Sequence, residues 1–112
     1  MPLQTQYAEQ EPIRAEIDAL SGPTLLEFGA PWCPHCQAIQ PQLADMLGQF
    51  PRVRHVKIED GKGKPLGRSF RVKLWPNLVF IRDGMVLQQS ARPDIDEIRR
   101  GLESIASTGS DR

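Results

Sequence analysis

The sequence predicts an α/β fold in which a mixed sheet of four to five strands carries helices on both faces. The first observation is a parallel β-α-β pattern, with apolar runs at residues 24–30 and 52–59 separated by a helical stripe. The second is Asp83-Gly84 after a continuous apolar run, a strong signal for a hairpin and hence an antiparallel strand. The third is an amphipathic C-terminal helix.

Length and charge predict a single domain and exclude some classes of partner. The chain has 112 residues, so one domain over residues 1–112 is expected, with residues 1–11 and 107–112 loosely ordered. Lys plus Arg and Asp plus Glu both number 14, and this balance gives no reason to expect nucleic acid or an anionic membrane as a partner. No run approaches the roughly 20 apolar residues of a membrane span. We expect a monomer.

The N-terminal stretch bears on location. Residues 1–12 are polar and lack the basic start and apolar run of a secretory signal. If the sequence is that of the whole gene product, we expect a cytoplasmic protein. In that reducing compartment, two cysteines with no others in the chain are more often catalytic or metal-bound than structural.

The first half of the chain gives two helices around a buried strand. Residues 3–7 are compatible with a short edge strand, and apolar spacing predicts a helix over residues 12–20. The strand at 24–30 is dense enough in apolar residues to be central. From Pro34 an apolar stripe continues to residue 50, and Pro41 interrupts it, so we expect one long helix bent near Gln40 rather than two helices.

The second half adds strands and two further helices. Residues 52–59 read as a strand, the glycine-rich stretch that follows allows a short helix over 65–70, and residues 78–81 form a buried strand. Residues 85–90 should return antiparallel. A capping-box spacing between Asp94 and Glu97 opens the last helix, whose apolar face carries Ile95, Ile98, Leu102 and Ile105.

The chemistry centres on Cys33-Pro34-His35-Cys36, which contains both cysteines of the chain. The motif falls where a buried strand turns into a helix, and the unpaired N–H groups and dipole of a helix start favour a thiolate, so Cys33 should be the reactive sulfur. Cys-x-x-Cys spacing also lets the two sulfurs form a bond. A structural zinc site would need two more ligands, and a purely structural disulfide would close too small a loop to stabilise the fold. We expect no metal and no other cofactor.

Residues 26–36, with Pro41 beyond them, resemble the active-site region of thioredoxins. Trp75-Pro76 resembles that family's cis-proline loop, Asp83-Gly84 its hairpin turn, and Lys57 a lysine at the end of its central strand. The resemblance extends over about residues 12–105. It implies the thioredoxin fold and a cis peptide before Pro76.

The resemblance also implies roles for individual residues. Cys33 would attack a target disulfide, and Cys36 would resolve the mixed disulfide. Glu27 would lie beneath Cys36 as the base, with Lys57 offsetting the cost of its buried charge. The alternative is that Glu27 faces solvent on an edge strand.

The sequence departs from the common thioredoxin pattern, which has Asp at Glu27, Gly-Pro between the cysteines, Trp at Gly29 and Lys at Gln37. Pro34-His35 is instead the dipeptide of strong periplasmic disulfide oxidants. A protonated His35 would stabilise the Cys33 thiolate, and with it the reduced protein, which makes the protein more oxidising.

Substrate binding is assigned by the resemblance to three places: Trp32, the Trp75-Pro76 loop, and the turn at Ala91 and Arg92. An extended substrate would pair with the backbone beside Pro76. Trp32 could instead belong to the core. Arg92 stands where thioredoxins usually have glycine. Its side chain could therefore narrow the range of partners that dock, or favour acidic ones.

A local basic run comprises Lys62, Lys64, Arg68, Arg71 and Lys73. Such a run is usually a solvated face, and the alternative is that it steers an acidic partner.

The function these observations favour is thiol–disulfide exchange with protein substrates, most simply as a thioredoxin-type reductant that an NADPH-dependent thioredoxin reductase regenerates. One alternative keeps the fold and reverses the electron flow, as an oxidase or isomerase. A second alternative is a thioredoxin-fold binding module with little turnover.

Overall fold

The computed structural model describes residues 6–107, which form a four-stranded sheet with helices on both faces. In chain order the elements are α1 (Arg14–Asp18), β1 (Pro23–Gly29), α2 (Pro34–Ala38), α3 (Gln40–Gly48), β2 (Arg54–Glu59), α4 (Pro65–Ser69), β3 (Asn77–Arg82), β4 (Met85–Ala91) and α5 (Ile95–Ala106).

The sheet is mixed, as the sequence predicts. Its strand order is β2-β1-β3-β4, with β1 and β2 parallel and the other two neighbouring pairs antiparallel. In the parallel pair Leu25 lies opposite His55 and Glu27 opposite Lys57. Because side chains alternate between the faces of a strand, these four residues share one face of the sheet.

Two hydrophobic cores lie on opposite faces of the sheet. On one face Leu25, Leu78 and Phe80 pack against buried residues of α3 and α5. On the other face Leu26 and Phe28 pack with residues of α1 and α4. This alternation along β1 confirms the prediction of a central strand covered on both sides.

The helix after the cysteines differs from its prediction. The expected single bent helix is two helices, α2 and α3, separated at Ile39. Pro41 has no N–H to donate to the carbonyl four residues earlier, and its ring crowds that carbonyl, so the helical ladder breaks here. Pro41 is thereby placed in the first turn of α3, where proline is well tolerated.

The predicted turn and cap signals are confirmed. Asp83 and Gly84 have φ values of 51° and 82°, as the turn between β3 and β4 requires. Asp94 accepts from the Glu97 N–H at 2.9 Å, and the Glu97 carboxylate accepts from the Asp94 N–H at 3.1 Å, so the capping box is complete.

The segment before α1 contacts the sheet and α4. The Ala8 N–H donates to the Lys57 carbonyl at 2.9 Å, and the Leu66 N–H at the start of α4 donates to the Glu11 carboxylate at 3.1 Å. Residues 3–5 of the predicted edge strand lie outside the described residues, and Gln6 and Tyr7 are not in a strand. Most of the predicted polar tail, residues 108–112, also lies outside them. Within residues 6–107 no helix is long and apolar enough to cross a membrane.

Two helical glycines should respond in opposite directions to alanine. A Cβ at Gly101 would come within 2.5 Å of the buried ring of Phe80, whereas a Cβ at exposed Gly48 would meet no atom within 4 Å. We expect Gly101→Ala to lower the free energy of unfolding by about 1–3 kcal/mol through overpacking. Gly48→Ala should raise it by about 0.5 kcal/mol through helix propensity. Urea unfolding measures both, and stabilisation by Gly101→Ala would contradict the packing of α5 on β3.

Candidate active site

Both cysteines lie at the turn from β1 into α2. Cys33 is the N-cap residue of α2, held by a bond from its N–H to the Ala30 carbonyl at 3.1 Å, and Pro34 occupies the first helical position. The Cys36 N–H donates to the Cys33 sulfur at 3.3 Å. A sulfur that accepts a backbone N–H at a helix start is placed to carry negative charge.

Cys33 and Cys36 are both free thiols and both are buried, with 5% and 2% of their surface exposed. Burial raises the pKa of the Cys36 thiol to about 12, and a hydrogen bond with Cys33 and the nearby negative charges of Cys33 and Glu27 add to the rise, against a lowering contribution from the Ala30 backbone. Cys36 therefore stays protonated near neutral pH. Any reaction through its sulfur requires a base or a compensating change in its environment.

The carboxylate of Glu27 is fully buried in the central strand, near enough for its charge to act on the Cys36 thiol. One of its oxygens lies 2.8 Å from His55 Nε2, and the other accepts from the Gln40 side-chain amide, also at 2.8 Å. The interpretation of Glu27 as a solvent-facing residue on an edge strand is therefore wrong. Its carboxylate is satisfied by protein groups instead of water.

Gln40 links this carboxylate to the cysteine motif. Its amide nitrogen also donates to the Cys36 carbonyl at 2.8 Å, and its amide oxygen accepts from Lys57 Nζ at 3.1 Å. Lys57 Nζ itself lies 4.0 Å from the Glu27 carboxylate. Lys57 is thus connected to the Glu27 carboxylate mainly through the Gln40 side chain. His55 contacts that carboxylate directly and lies nearer to it than Lys57 does.

Cys36 also lines a cavity of about 470 Å³ shared with Tyr7, Gln40, Lys57 and Glu59, among others. The ammonium of Lys57 lies 4.9 Å from the centre of the Tyr7 ring. A Cβ at Gly29 would come within 2.5 Å of the Cys36 sulfur and 3.3 Å of the Tyr7 hydroxyl. The Cys36 thiol and the Tyr7 hydroxyl therefore fill the space that a side chain at position 29 would need. Burial and the negative charges near it raise the pKa of Tyr7, which stays a neutral phenol.

The surface around Cys33 is aromatic. Trp32 is 68% exposed, so it is not a core residue, and its ring meets that of Trp75 edge-on with centroids 5.5 Å apart. Trp75 in turn packs against the small buried cluster of Ala30, Cys33 and Cys36. The peptide between Trp75 and Pro76 is cis, which confirms the expectation drawn from the resemblance.

Arg92 lies against the same loop. Its backbone N–H donates to the Pro76 carbonyl and its side-chain Nε to the Trp75 carbonyl, both at 2.8 Å. Its φ of 49° is in the left-handed region where glycine is favoured. Ala91, which precedes it, is exposed at the end of β4 opposite Asn77. The Arg92 side chain therefore already donates to the Trp75 carbonyl, a backbone group with which an extended chain lying beside Pro76 could pair.

His35 is exposed in α2, next to the buried Cys36 and two residues after Cys33. Within residues 6–107 no three His, Cys, Asp or Glu side chains are grouped so as to hold a metal.

Sequence reasoning missed three residues of this site. His55 precedes Lys57 by two, so strand alternation alone places it on the Glu27 face once the strand is assigned. Gln40 follows Cys36 by four residues, which is the spacing of neighbours on a helix face. The helix break at Ile39 does not separate its side chain from Cys36. Tyr7 gave no signal, because it belongs to a polar segment far away in sequence.

The sequence and the fold are both similar to those of known proteins. The sequence profile of the Thioredoxin family matches residues 4–104. The structure of thioredoxin 2 from Pseudomonas aeruginosa in its reduced form is 48% identical, superimposes with a TM-score of 0.81, and the match covers 93% of this chain and 97% of that one. Thioredoxin Asp f 28 of Aspergillus fumigatus is 24% identical over 101 residues, 89% of this chain and 94% of that protein. Thioredoxin H5 of Arabidopsis thaliana is 31% identical over 78 residues, 70% of this chain and 66% of its own length.

The difference between the two thiols should appear in their alkylation. In Cys33→Ser the remaining Cys36 thiol should react with iodoacetamide at pH 8 on the order of 10²-fold more slowly in the folded protein than in urea, because burial keeps it protonated. In Cys36→Ser the remaining Cys33, which is also buried but lies at the N-terminus of α2, should be protected less than Cys36. Mass spectrometry of timed samples measures both rates. Equal rates for Cys36 in folded and unfolded protein would contradict the burial described above.

Proposed function

The chain belongs to the thioredoxin family and is a thiol–disulfide oxidoreductase, and we propose that it works as a thioredoxin-type reductant of protein disulfides. The observation that carries this proposal is the position of the dithiol. Cys33 lies at the start of α2 next to the exposed ring of Trp32, and Trp75 packs against both cysteines, whose motif Gln40 links to the buried Glu27 carboxylate.

The first step is attack on a substrate disulfide. The Cys33 thiolate forms a bond to one substrate sulfur, the substrate S–S bond breaks, and the other substrate sulfur leaves as a thiolate that takes up a proton. Trp32 and the loop at Trp75 and Pro76 supply the surface on which the substrate rests, in keeping with the exposure of Trp32.

The second step releases the substrate. Cys36 loses its proton and attacks the Cys33 sulfur, the mixed disulfide breaks, and the second substrate sulfur leaves as a thiolate. The substrate disulfide has then gained two electrons, and the protein dithiol has become the Cys33–Cys36 disulfide.

The proton of Cys36 is the difficulty in the second step, because the pKa of that thiol is about 12. We assign its removal to Glu27, whose carboxylate is held under the motif by His55 and Gln40. Lys57 stabilises the negative charge of this group through Gln40. The cavity lined by Cys36, Gln40 and Lys57 offers the proton a route to solvent.

Regeneration requires an outside source of electrons. The proposed partner is an NADPH-dependent thioredoxin reductase, which returns the disulfide to the dithiol. We further propose that the protein works in the cytoplasm as a monomer, since that reducing compartment keeps a cysteine pair in the dithiol form that a reductant needs.

A second candidate function reverses the flow of electrons. Its support is Pro34-His35, which places a basic residue in α2 between the two cysteines, where positive charge would stabilise the thiolate of the reduced form. In that case the protein would oxidise or isomerise disulfides. The two candidates differ in reduction potential.

The reductant proposal is tested with insulin as the substrate. Reduced protein should cleave insulin disulfides, detected as precipitation of the freed chains, and Cys33→Ser should abolish the cleavage. A reduction potential of about −270 mV, measured in glutathione buffers, supports the reductant, and one of about −120 mV supports the oxidant. Cys36→Ser should accumulate mixed disulfides in cells. Failure to cleave insulin together with no trapped partners would leave only a binding module.

Replacing Glu27 should slow the resolving step. We expect Glu27→Gln to slow release of a Cys33-linked substrate on the order of 10²-fold at pH 7, because the base for Cys36 is lost. The deficit should shrink as the pH rises toward the pKa of about 12 of the Cys36 thiol, since that group then ionises without help. Single-turnover kinetics from pH 6 to 10 measure this.

Glu59→Gln is the matched control, because Glu59 lines the same cavity but has no contact with the buried network among the described residues. It should leave the resolving rate unchanged at every pH. If Glu27→Gln and Glu59→Gln have equal effects, Glu27 is not the base.

A further inference from the structure

A basic groove lies next to the active site. It has a volume of about 550 Å³ and is formed by the loop before α4 and the segment after it, and its cationic members are Lys62, Lys64, Arg68, Arg71 and Lys73. These are five of the 14 Lys and Arg residues of the chain, and residues 61–74 contain no Asp or Glu. In a chain with no net charge, this one surface is strongly positive.

The cations of the basic groove are unpaired. Within residues 6–107 none of the five forms an ion pair, whereas Arg14, Arg82 and Arg99 each lie within 4.0 Å of a carboxylate. Four of the five are exposed, and Lys64 is half-buried. Unpaired cations around a concave surface repel one another, and a bound anionic group would relieve that repulsion.

The groove is joined to the redox centre through Trp75. Asp60, the carboxylate that lines the groove, accepts the indole N–H of Trp75 at 2.9 Å and sets one negative charge against the five cations. Trp75 packs against Cys33 and Cys36. Between Lys73 and Trp75 lies Leu74, which is 50% exposed and offers an apolar contact at the border of the groove.

We propose that the basic groove docks an acidic segment of the partner protein whose disulfide Cys33 attacks. This inference rests on the proposed function and names the class of partner. A protein is favoured over a nucleic acid because the groove is connected to the site of disulfide exchange, and the substrates of that reaction are proteins. Charges at the rim of an interface act mainly on the association rate, so the groove should speed encounter with acidic partners.

The test uses two synthetic peptides with the same internal disulfide, one flanked by a run of glutamates and the other by glutamines. We expect the reduced protein to act on the acidic peptide with a kcat/KM on the order of tenfold higher at low salt. Raising the ionic strength to about 0.3 M should remove most of this preference through screening. The glutamine peptide should show little dependence on salt.

Two double variants separate the groove from net charge. Arg68→Glu with Lys73→Glu should abolish or reverse the preference for the acidic peptide and leave kcat/KM for the glutamine peptide within about twofold. Arg52→Glu with Arg100→Glu makes the same change in net charge at exposed positions outside the groove, and should keep most of the preference.

The outcomes distinguish this inference from the proposed function. If neither peptide is reduced, both fail. If both are reduced at equal rates, or if the two double variants behave alike, only the docking proposal fails. Displacement of the acidic peptide by a single-stranded oligonucleotide of equal charge that binds more tightly would also overturn it, in favour of a nucleic-acid surface.

Discussion

The burial of the Glu27 carboxylate is the constraint on which the rest of the site depends. A carboxylate inside a sheet costs several kcal/mol unless protein groups satisfy it. Here one oxygen is bound by His55 of β2 and the other by Gln40 of α3, with Lys57 behind. A slip of β2 by one residue would turn both His55 and Lys57 to the other face and leave the charge without them. The register of the parallel strands β1 and β2 and the chemistry of the site therefore both depend on His55 and Lys57 facing the Glu27 carboxylate.

The proline after the motif acts through the same group. Pro41 breaks the helical ladder at Ile39, and α3 starts afresh at Gln40, whose side-chain amide binds both the Glu27 carboxylate and the Cys36 carbonyl. This one side chain therefore fixes the end of α2 to the central strand. Through the Cys36 carbonyl it helps to fix the position of that residue, whose burial is the main reason that its thiol stays protonated. The local feature that sequence analysis treated as a kink is a positioning device.

The sequence predicts what depends on local pattern and misses what depends on distant contact. The apolar strands, the turn at Asp83-Gly84 and the capping box at Asp94 each have their cause within a few residues, and all are present. The helix break depends on how Pro41 is accommodated, which spacing does not determine. The position of His55 can be predicted in principle, because the alternation of side chains along the strand from Lys57 places it on the same face as Glu27. Tyr7 and the contact of Arg92 with the Trp75 carbonyl join segments far apart in sequence, and only the folded chain shows them.

Trp75 connects the interior chemistry to the surface, because its carbonyl, its indole N–H and its ring each contact a different part of the site. Its carbonyl accepts from Arg92, its indole N–H donates to Asp60, and its ring borders both Trp32 and the cysteines. A partner that pairs with the Trp75 carbonyl would compete with the Arg92 guanidinium, and a carboxylate on that partner would give the displaced cation a new acceptor. The basic groove lies on the Asp60 side of the same residue. The two features that distinguish this surface thus favour the same property in a partner, which is negative charge close to the disulfide.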